Sequence, residues 1–204
     1  MNTFDEKAST WDSNPVNWER AEAIAKKIRQ KIALTPQMMA MEYGAGTAIL
    51  SFILKDEVKE ITLMDNSMGM VQVMEEKIKK EQADHLKPLF FNLETTPYEG
   101  QTFDLIFTQM VMHHVRDVKA MINRFYDLLN EGGHIAIADL YAEDGSFHGS
   151  GFDGHQGFDI ENLSETLISA GFKNVSHERC YVIKKQTEMH GLKDFPVFII
   201  TGAK

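Results

Sequence analysis

At 204 residues with a net charge of −9, from 21 basic and 30 acidic side chains, the chain can bury a central sheet without disulfides or metals. It is also too acidic for non-specific polyanion binding, which depends on clustered Lys and Arg, so nucleic acid is disfavoured as a partner. The single cysteine, Cys180, cannot close an intrachain disulfide, Met1–Lys7 lacks the basic and apolar regions of a leader, and no apolar run approaches the ~20 residues that span a bilayer; a cytoplasmic protein that does not enter the membrane is expected.

Helical and strand patterns alternate along the chain without repeats, low-complexity tracts or linkers. Trp18, Ala21, Ile24, Ala25, Ile28 and Ile32 recur at helical spacing after Pro15 and predict a helix over 16–33. A strand over 38–43, a helix over 47–55 and a strand over 60–65 follow. Ser67 then opens a helix with Val71, Met74 and Ile78 on one face. Residues 86–91 and 103–108 read as the third and fourth strands. Val118, Met121, Ile122, Phe125, Leu128 and Leu129 mark a helix that Gly132 and Gly133 should end. A fifth strand over 134–140 leads into a loop, 143–157, with five glycines, and a helix over 160–170 closes at Gly171. The last two strand patterns, 175–184 and 195–201, have no helical pattern between them and should pair antiparallel at one edge. Lys26, Lys27 and Arg29, and likewise Lys77, Lys79 and Lys80, read as solvated helix faces. The alternation predicts an α/β fold: a Rossmann-like open sheet, mostly parallel with a C-terminal antiparallel strand and helices on both faces. One domain is expected, with an N-terminal helical cap (1–33), a ligand-binding core (34–141) and a substrate-side loop and hairpin (142–204).

The most informative stretch is Met39-Ala40-Met41-Glu42-Tyr43-Gly44-Ala45-Gly46-Thr47-Ala48-Ile49-Leu50: an apolar strand, an acidic residue, and a paired-glycine turn into an apolar helix. Glycines there let the backbone turn sharply and approach a ligand closely. Asp65 follows 21 positions after Gly44, at the end of the second strand, where an open α/β sheet places the carboxylate that takes a ribose diol. The third position of the dinucleotide fingerprint is Ile49, which packs a helix onto the sheet rather than baring its N-terminus to a pyrophosphate. The loop suits an adenosine ligand without phosphates.

On these residues the chain resembles the class I S-adenosylmethionine-dependent methyltransferases, in the small-molecule subgroup similar to the ubiquinone and menaquinone biosynthesis enzymes. Their first motif is an acidic residue followed by G-x-G-x-G; here Glu42, Gly44 and Gly46 match, and Ala48 stands where the last Gly is usual. Asp65-Asn66-Ser67-Met68-Gly69-Met70 resembles D-x-S-x-x-M. Asn92, before Leu93, replaces the usual Asp, and its amide oxygen can still accept from an adenine amine. Thr108-Gln109 and the His113-His114 pair resemble the segment after the fourth strand. Phe4-Asp5-Glu6-Lys7-Ala8-Ser9-Thr10-Trp11-Asp12 resembles the N-terminal cap. The resemblance thus implies S-adenosyl-L-methionine as cofactor, held by Trp11, Arg20, Glu42, Gly44, Ala45, Gly46, Asp65, Asn66, Met70, Asn92, Leu93, Thr108 and Gln109. Trp11 reads equally as a cation–π lid or as packing, Met70 as an adenine contact or as core, and Arg20 as a partner for the cofactor carboxylate or as an exposed helical residue.

The implied activity is methyl transfer to a small, neutral or cationic acceptor. Proton-accepting candidates are His113, Asp139, Tyr141, His148 and His155. Adjacent side chains should diverge, so His114 reads as a structural histidine while His113 stands open as a pocket residue. No ligand spacing supports a metal among His148, Asp153, His155 and Asp159; with Phe147, Phe152 and Phe158 the loop reads instead as a mobile acceptor-side lid. The alternative from another class is a regulatory module that binds S-adenosylmethionine or S-adenosylhomocysteine without turnover. A nicotinamide oxidoreductase is disfavoured by Ile49 and by the antiparallel end.

Overall fold

The computed structural model describes residues 4–187 and 191–204; Met1, Asn2 and Thr3 of the N-terminal segment, and Glu188, Met189 and His190 between the last two strands, lie outside the described residues. Seven strands form one sheet: β1 (Met39–Tyr43), β2 (Glu60–Asp65), β3 (Leu86–Phe90), β4 (Phe103–Gln109), β5 (Leu129–Leu140), β6 (Lys173–Thr187) and β7 (Gly191–Ala203). Their order is β3-β2-β1-β4-β5-β7-β6. The first five run parallel, and β7 is antiparallel to both β5 and β6, as the helix-free interval in the sequence implied.

Side chains alternate across the strands, which divides the core in two. Ala40, Ile61, Leu63, Leu105, Phe107 and Ala138 pack with Ile24, Ile28, Leu50, Val71 and Met74 of α1 (Pro15–Lys31), α2 (Ile49–Leu54) and α3 (Met68–Glu81). Met41, Tyr43, Met64, Phe103, Ile106 and Ile137 pack on the other face with Met121, Ile122, Phe125, Leu163 and Leu167 of α4 (Val118–Leu128) and α5 (Ile160–Ser169). Local chemistry starts the helices where the sequence signalled. Asn14, Ser67, Asp117 and Asp159 accept from Val16, Met70, Ala120 and Asn162 N–H groups respectively, each cap contributing about 1 kcal/mol. Among the described residues no helix is long and apolar enough to cross a membrane.

Two expectations change. Gly132 and Gly133 do not end α4: the helix stops at Leu128, capped by the extended Leu129, and the glycines lie within β5. There Phe103 pairs with Leu129 but Leu105 with His134, so four residues bulge opposite Asp104, whose carboxylate accepts from the Asn130 amide at 2.7 Å. Lys77 does not lie on a solvated face either. Its ammonium is 2.7 Å from Asp12 Oδ2 and from the Thr47 carbonyl, and 4.7 Å from the centre of the Phe52 ring.

The chain leaves β1 for α2 on one face and β4 for α4 on the other. Strands β1 and β4 are neighbours, so their carboxyl ends flank a topological switch point, where open α/β sheets bind ligands.

Candidate functional site

The turn after β1 is fastened to β2: the N–H groups of Gly44 and Ala45 both donate to the Met64 carbonyl, at 2.8 and 3.0 Å. Gly44 has φ +66°, and a Cβ there would lie 2.4 Å from a Val111 methyl, so only glycine fits. Gly46 has φ +57° and faces open space, with nothing within 4 Å of where a Cβ would stand. Ala48 is also left-handed, φ 62°, although it carries a side chain; that conformation costs about 1–2 kcal/mol in a non-glycine residue.

Two acidic residues lie beside this turn. Glu42 is fully buried; its Oε2 accepts from the Ser51 hydroxyl at 2.5 Å and the Ser51 N–H at 3.2 Å. Burial pushes its carboxyl up to about 8, against the opposing effect of Ser51 and the Gln109 side chain. Asp65 is half-buried and accepts at 2.8 Å from the Gly46 N–H and at 2.8 Å from the Ser67 N–H. Its carboxyl is also raised, mainly by burial. Beside them β4 ends in Thr108, which is buried, and Gln109. Met110 follows at φ 56°, a strained non-glycine residue at the strand end.

Among the described residues, four buried side-chain polar atoms have no hydrogen-bond partner: Arg20 Nε, Glu42 Oε1, Thr108 Oγ1 and Gln109 Oε1. All four belong to residues that the sequence named for the cofactor. Arg20 is not the exposed helical residue that is the default; it is buried, which lowers its guanidinium to about 10 against the charges of Tyr181 and Asp139.

The other named residues divide. Asn66 is exposed, Met68 is exposed and Met70 is buried beneath it. The Asn92 side chain closes a local turn, its Oδ1 accepting from the Glu94 N–H at 3.0 Å, and buried Leu93 receives the Arg124 guanidinium on its carbonyl. Trp11 packs edge-on to Phe4 and borders an outward groove with Lys7, Thr10, Asn14 and Asn17. Two carboxylates that the sequence did not single out fasten this cap to the strand-end loops. Asp5 Oδ1 accepts from the Ser67 hydroxyl at 2.6 Å and the Gly69 N–H at 3.0 Å. Asp12 Oδ1 accepts from the Thr47 hydroxyl at 2.5 Å, while its other oxygen meets Lys77. A Cβ at Gly69 would lie 2.9 Å from Asp5 backbone atoms, which explains glycine at that point of D-x-S-x-x-M.

Across the crevice the 3-10 turn Met112–His114 follows β4. His113 and Asp139 are buried, with His113 Nδ1 2.6 Å from Asp139 Oδ1. The same carboxylate accepts from the N–H groups of His113 (3.2 Å) and Leu140 (2.7 Å), so it is held at three points. Contrary to the expected divergence, the 3-10 turn brings the His113 and His114 ring centres to 4.2 Å. His148 from the loop lies 5.0 Å from His113 and 5.3 Å from His114. Burial first, and then the neighbouring His113 ring, lower His114 to about 4 and His148 to about 3, so both are neutral imidazoles at neutral pH. Phe152 stacks on His148 at 3.9 Å and Phe4 stands edge-on to His114 at 5.4 Å.

Tyr141 and His155 stay outside this group. Tyr141 is edge-on to Phe198, and burial raises its phenol. His155 braces the 3-10 turn, its N–H donating to the His113 carbonyl at 2.8 Å and its Nε2 lying 3.0 Å from the Val115 carbonyl. The loop glycines serve close packing as well as turning: a Cβ on Gly154 would lie 2.4 Å from the His113 carbonyl oxygen, and one on Gly157 2.1 Å from that of Tyr141. The β6–β7 ribbon clasps the same loop, with Lys185 donating to the Phe147 carbonyl and Lys193 to Asp144 at 2.5 Å.

A family model described as a methyltransferase domain matches residues 41–137. An uncharacterized methyltransferase of Schizosaccharomyces pombe is 27% identical over 164 residues, 72% of this chain and 56% of that protein. The demethylmenaquinone methyltransferase of Alkalihalophilus pseudofirmus is 23% identical over 127 residues, 61% of this chain and 54% of the other. The chain therefore spans about half the length of these curated relatives. Among solved structures, a phosphoethanolamine N-methyltransferase of Haemonchus contortus in complex with phosphomonomethylethanolamine and S-adenosylhomocysteine superposes with a TM-score of 0.73 at 15% identity, over 90% of this chain and 52% of that one. The matched domain and these relatives are methyltransferases by description, and the chain is similar to the S-adenosylmethionine-dependent methyltransferases in sequence and in fold.

Proposed function

We propose that this chain transfers the methyl group of S-adenosylmethionine to a small-molecule acceptor that enters beneath residues 143–158. The observation that supports this most is the set of four unpartnered atoms, those of Glu42, Thr108 and Gln109 near the ends of β1 and β4 and that of Arg20 on α1. A buried polar atom without a partner costs about 1–3 kcal/mol, and such atoms persist where a ligand completes them. The amino-acid end of S-adenosylmethionine supplies matching groups: its carboxylate for Arg20 and its ammonium for Glu42. The ribose hydroxyls then take Asp65 in place of the Gly46 N–H, and Asn92 and Leu93 face the adenine.

A sulfonium methyl is already activated, so the protein's task is alignment. Holding a nucleophile at ~3–3.5 Å from the methyl can supply ~7–11 kcal/mol. With Nδ1 engaged by Asp139, Nε2 is the nitrogen of His113 left to take a proton from a hydroxyl or amine acceptor. The neutral imidazoles and the rings of Phe4, Phe147 and Phe152 favour an acceptor with an apolar or aromatic face. The cap over 1–33, the core over 34–141 and the loop and hairpin over 142–204 act as one methyltransferase domain. A cytoplasmic location suits a chain with one cysteine, and the acidic charge suits a small molecule rather than nucleic acid.

Calorimetric titration with S-adenosylhomocysteine in EDTA tests the cofactor half of this reading, and one site per chain is expected. Absence of heat at saturating ligand rules it out. A metabolite screen for methylated products then separates turnover from the regulatory alternative.

A further inference from the structure

We infer that His113, His114 and His148 form a binding site for a divalent transition metal, Zn²⁺ by chemical class, on the acceptor side of the crevice. Each offers one ring nitrogen, and the three nitrogens lie within 4.8 Å of one another. Zinc–imidazole bonds of ~2.0–2.1 Å in a tetrahedron set ligand nitrogens about 3.4 Å apart, so the widest pair closes by about 1.4 Å in total. Two of the rings stand on the 3-10 turn and the third on an exposed part of the loop, where side-chain rotation can supply a correction of that size.

Each ligand has the nitrogen it needs. Asp139 holds Nδ1 of His113, which leaves Nε2 as the ligating atom, in the carboxylate–histidine–metal arrangement that fixes tautomer and ring orientation; with the ion bound, Nε2 no longer takes a proton, and the ion replaces it as the group that activates an acceptor. The carboxylate is itself fixed by the His113 and Leu140 N–H groups. Among the described residues the rings of His114 and His148 have ring contacts but no hydrogen-bond partner. Three imidazoles select zinc, iron, nickel or copper over magnesium and calcium, which prefer oxygen ligands. Three protein ligands also leave a fourth position for water or an acceptor heteroatom. The ligands are two adjacent residues and a third from a distant loop, so no linear spacing announces them.

The identity of whatever fills the fourth position rests on the methyl-transfer reading; the metal site itself does not. Chelator-treated protein titrated with Co²⁺ should take up one ion per chain with the intense visible absorption of a tetrahedral site, and Zn²⁺ should bleach it. His114→Ala and His148→Ala should each weaken Co²⁺ binding more than tenfold, and Asp139→Asn by about 10–100-fold. His148 lies on an exposed loop, so its variant tests the site in a folded protein. Absence of the absorption, or Co²⁺ binding in His148→Ala equal to that of the parent, overturns the site. Titration of His114→Ala and His148→Ala with S-adenosylhomocysteine in EDTA should give unchanged affinity; its loss in every metal-free protein, parent included, would count against the cofactor reading and leave the Co²⁺ result standing.

Discussion

Asp65 Oδ2 accepts the Gly46 N–H at 2.8 Å, joining the end of β2 to the glycine turn after β1. The carboxylate assigned to the ribose thus also braces the turn before any ligand arrives. Its other oxygen accepts from the Ser67 N–H, so removing it leaves two backbone donors without their partner. Asp65→Ala should lower the stability of the unliganded protein by about 1–3 kcal/mol and weaken S-adenosylhomocysteine by a similar amount. Chemical denaturation and calorimetry on one preparation check both. Unchanged stability with weakened binding would mean that the brace contributes nothing.

Glu42 gives a pH dependence of definite sign. Its carboxyl is raised by burial from 4.5 to about 8 in the folded chain, so the protonated form is the favoured native one. The unfolded chain ionises first as pH rises, and Glu42 therefore erodes stability from about pH 4.5 to about pH 8, with no further change above. An ammonium ligand needs the ionised carboxylate. Below pH 8 binding must then expel a proton, and affinity for S-adenosylhomocysteine should fall toward tenfold per pH unit. Calorimetry in buffers of different ionisation enthalpy should read nearly one proton released at pH 7. Glu42→Gln should remove both the release and the slope; a slope that survives in the variant assigns the proton elsewhere.

Much of this was legible in the sequence because the signals are local. The Glu42–Gly46 turn, the Asp65 that ends β2 and the cap at Ser67 are each marked by neighbours within a few residues. What escaped depends on distant segments meeting. Asp5 and Asp12 stand in the sequence only as members of the cap stretch, and their partners Ser67 and Thr47 emerge when the fold brings them together. His113 and His114 were expected to diverge, which holds for a strand; a 3-10 turn, tighter than either regular structure, swings both rings to one side. The loop glycines suggested mobility, whereas Gly154 and Gly157 are positions where backbone meets backbone.

The cap latch at Asp12 and Lys77 should govern how long the ligand stays. Lys77 is mostly buried, between Asp12, the Thr47 carbonyl and the Phe52 ring. Lys77→Met keeps the apolar stem and removes the charge, so the cap loses the bridge through Lys77 and keeps only the Asp12–Thr47 hydrogen bond to the turn after β1. Stopped-flow displacement of S-adenosylhomocysteine should show dissociation accelerated about tenfold, with a smaller change in association, as interface substitutions mostly act on off-rates. Equal dissociation rates would place the cap outside the cofactor's exit path.

Ala48 bears the strain that glycine relieves in the family motif. At φ 62° its methyl costs about 1–2 kcal/mol, partly offset by the ~0.8 kcal/mol its burial contributes. Ala48→Gly should therefore raise stability slightly, by no more than about 1 kcal/mol, and leave S-adenosylhomocysteine affinity unchanged. Gly46→Val should instead abolish binding, because residue 46 faces the open space and a β-branched side chain would fill it. Denaturation and calorimetry on both variants test the contrast, and normal binding by Gly46→Val would move the ligand away from the turn.

Gly154 links the acceptor-side loop to the histidines through a backbone approach. A Cβ there would lie 2.4 Å from the His113 carbonyl oxygen, the same oxygen that accepts the His155 N–H, so Gly154→Ala must push the loop off the 3-10 turn. Overpacking of this kind costs about 1–3 kcal/mol, spent on opening residues 145–156 rather than on the sheet. Hydrogen exchange should then speed up at His155 and its neighbours while the β1 and β4 amides keep their protection. S-adenosylhomocysteine affinity should hold within about twofold, because Gly154 packs on the His113 carbonyl and not on the Gly46 turn. Loss of cofactor affinity would instead make the loop part of the cofactor site, and unchanged exchange would show that the loop relaxes around the methyl without leaving His113.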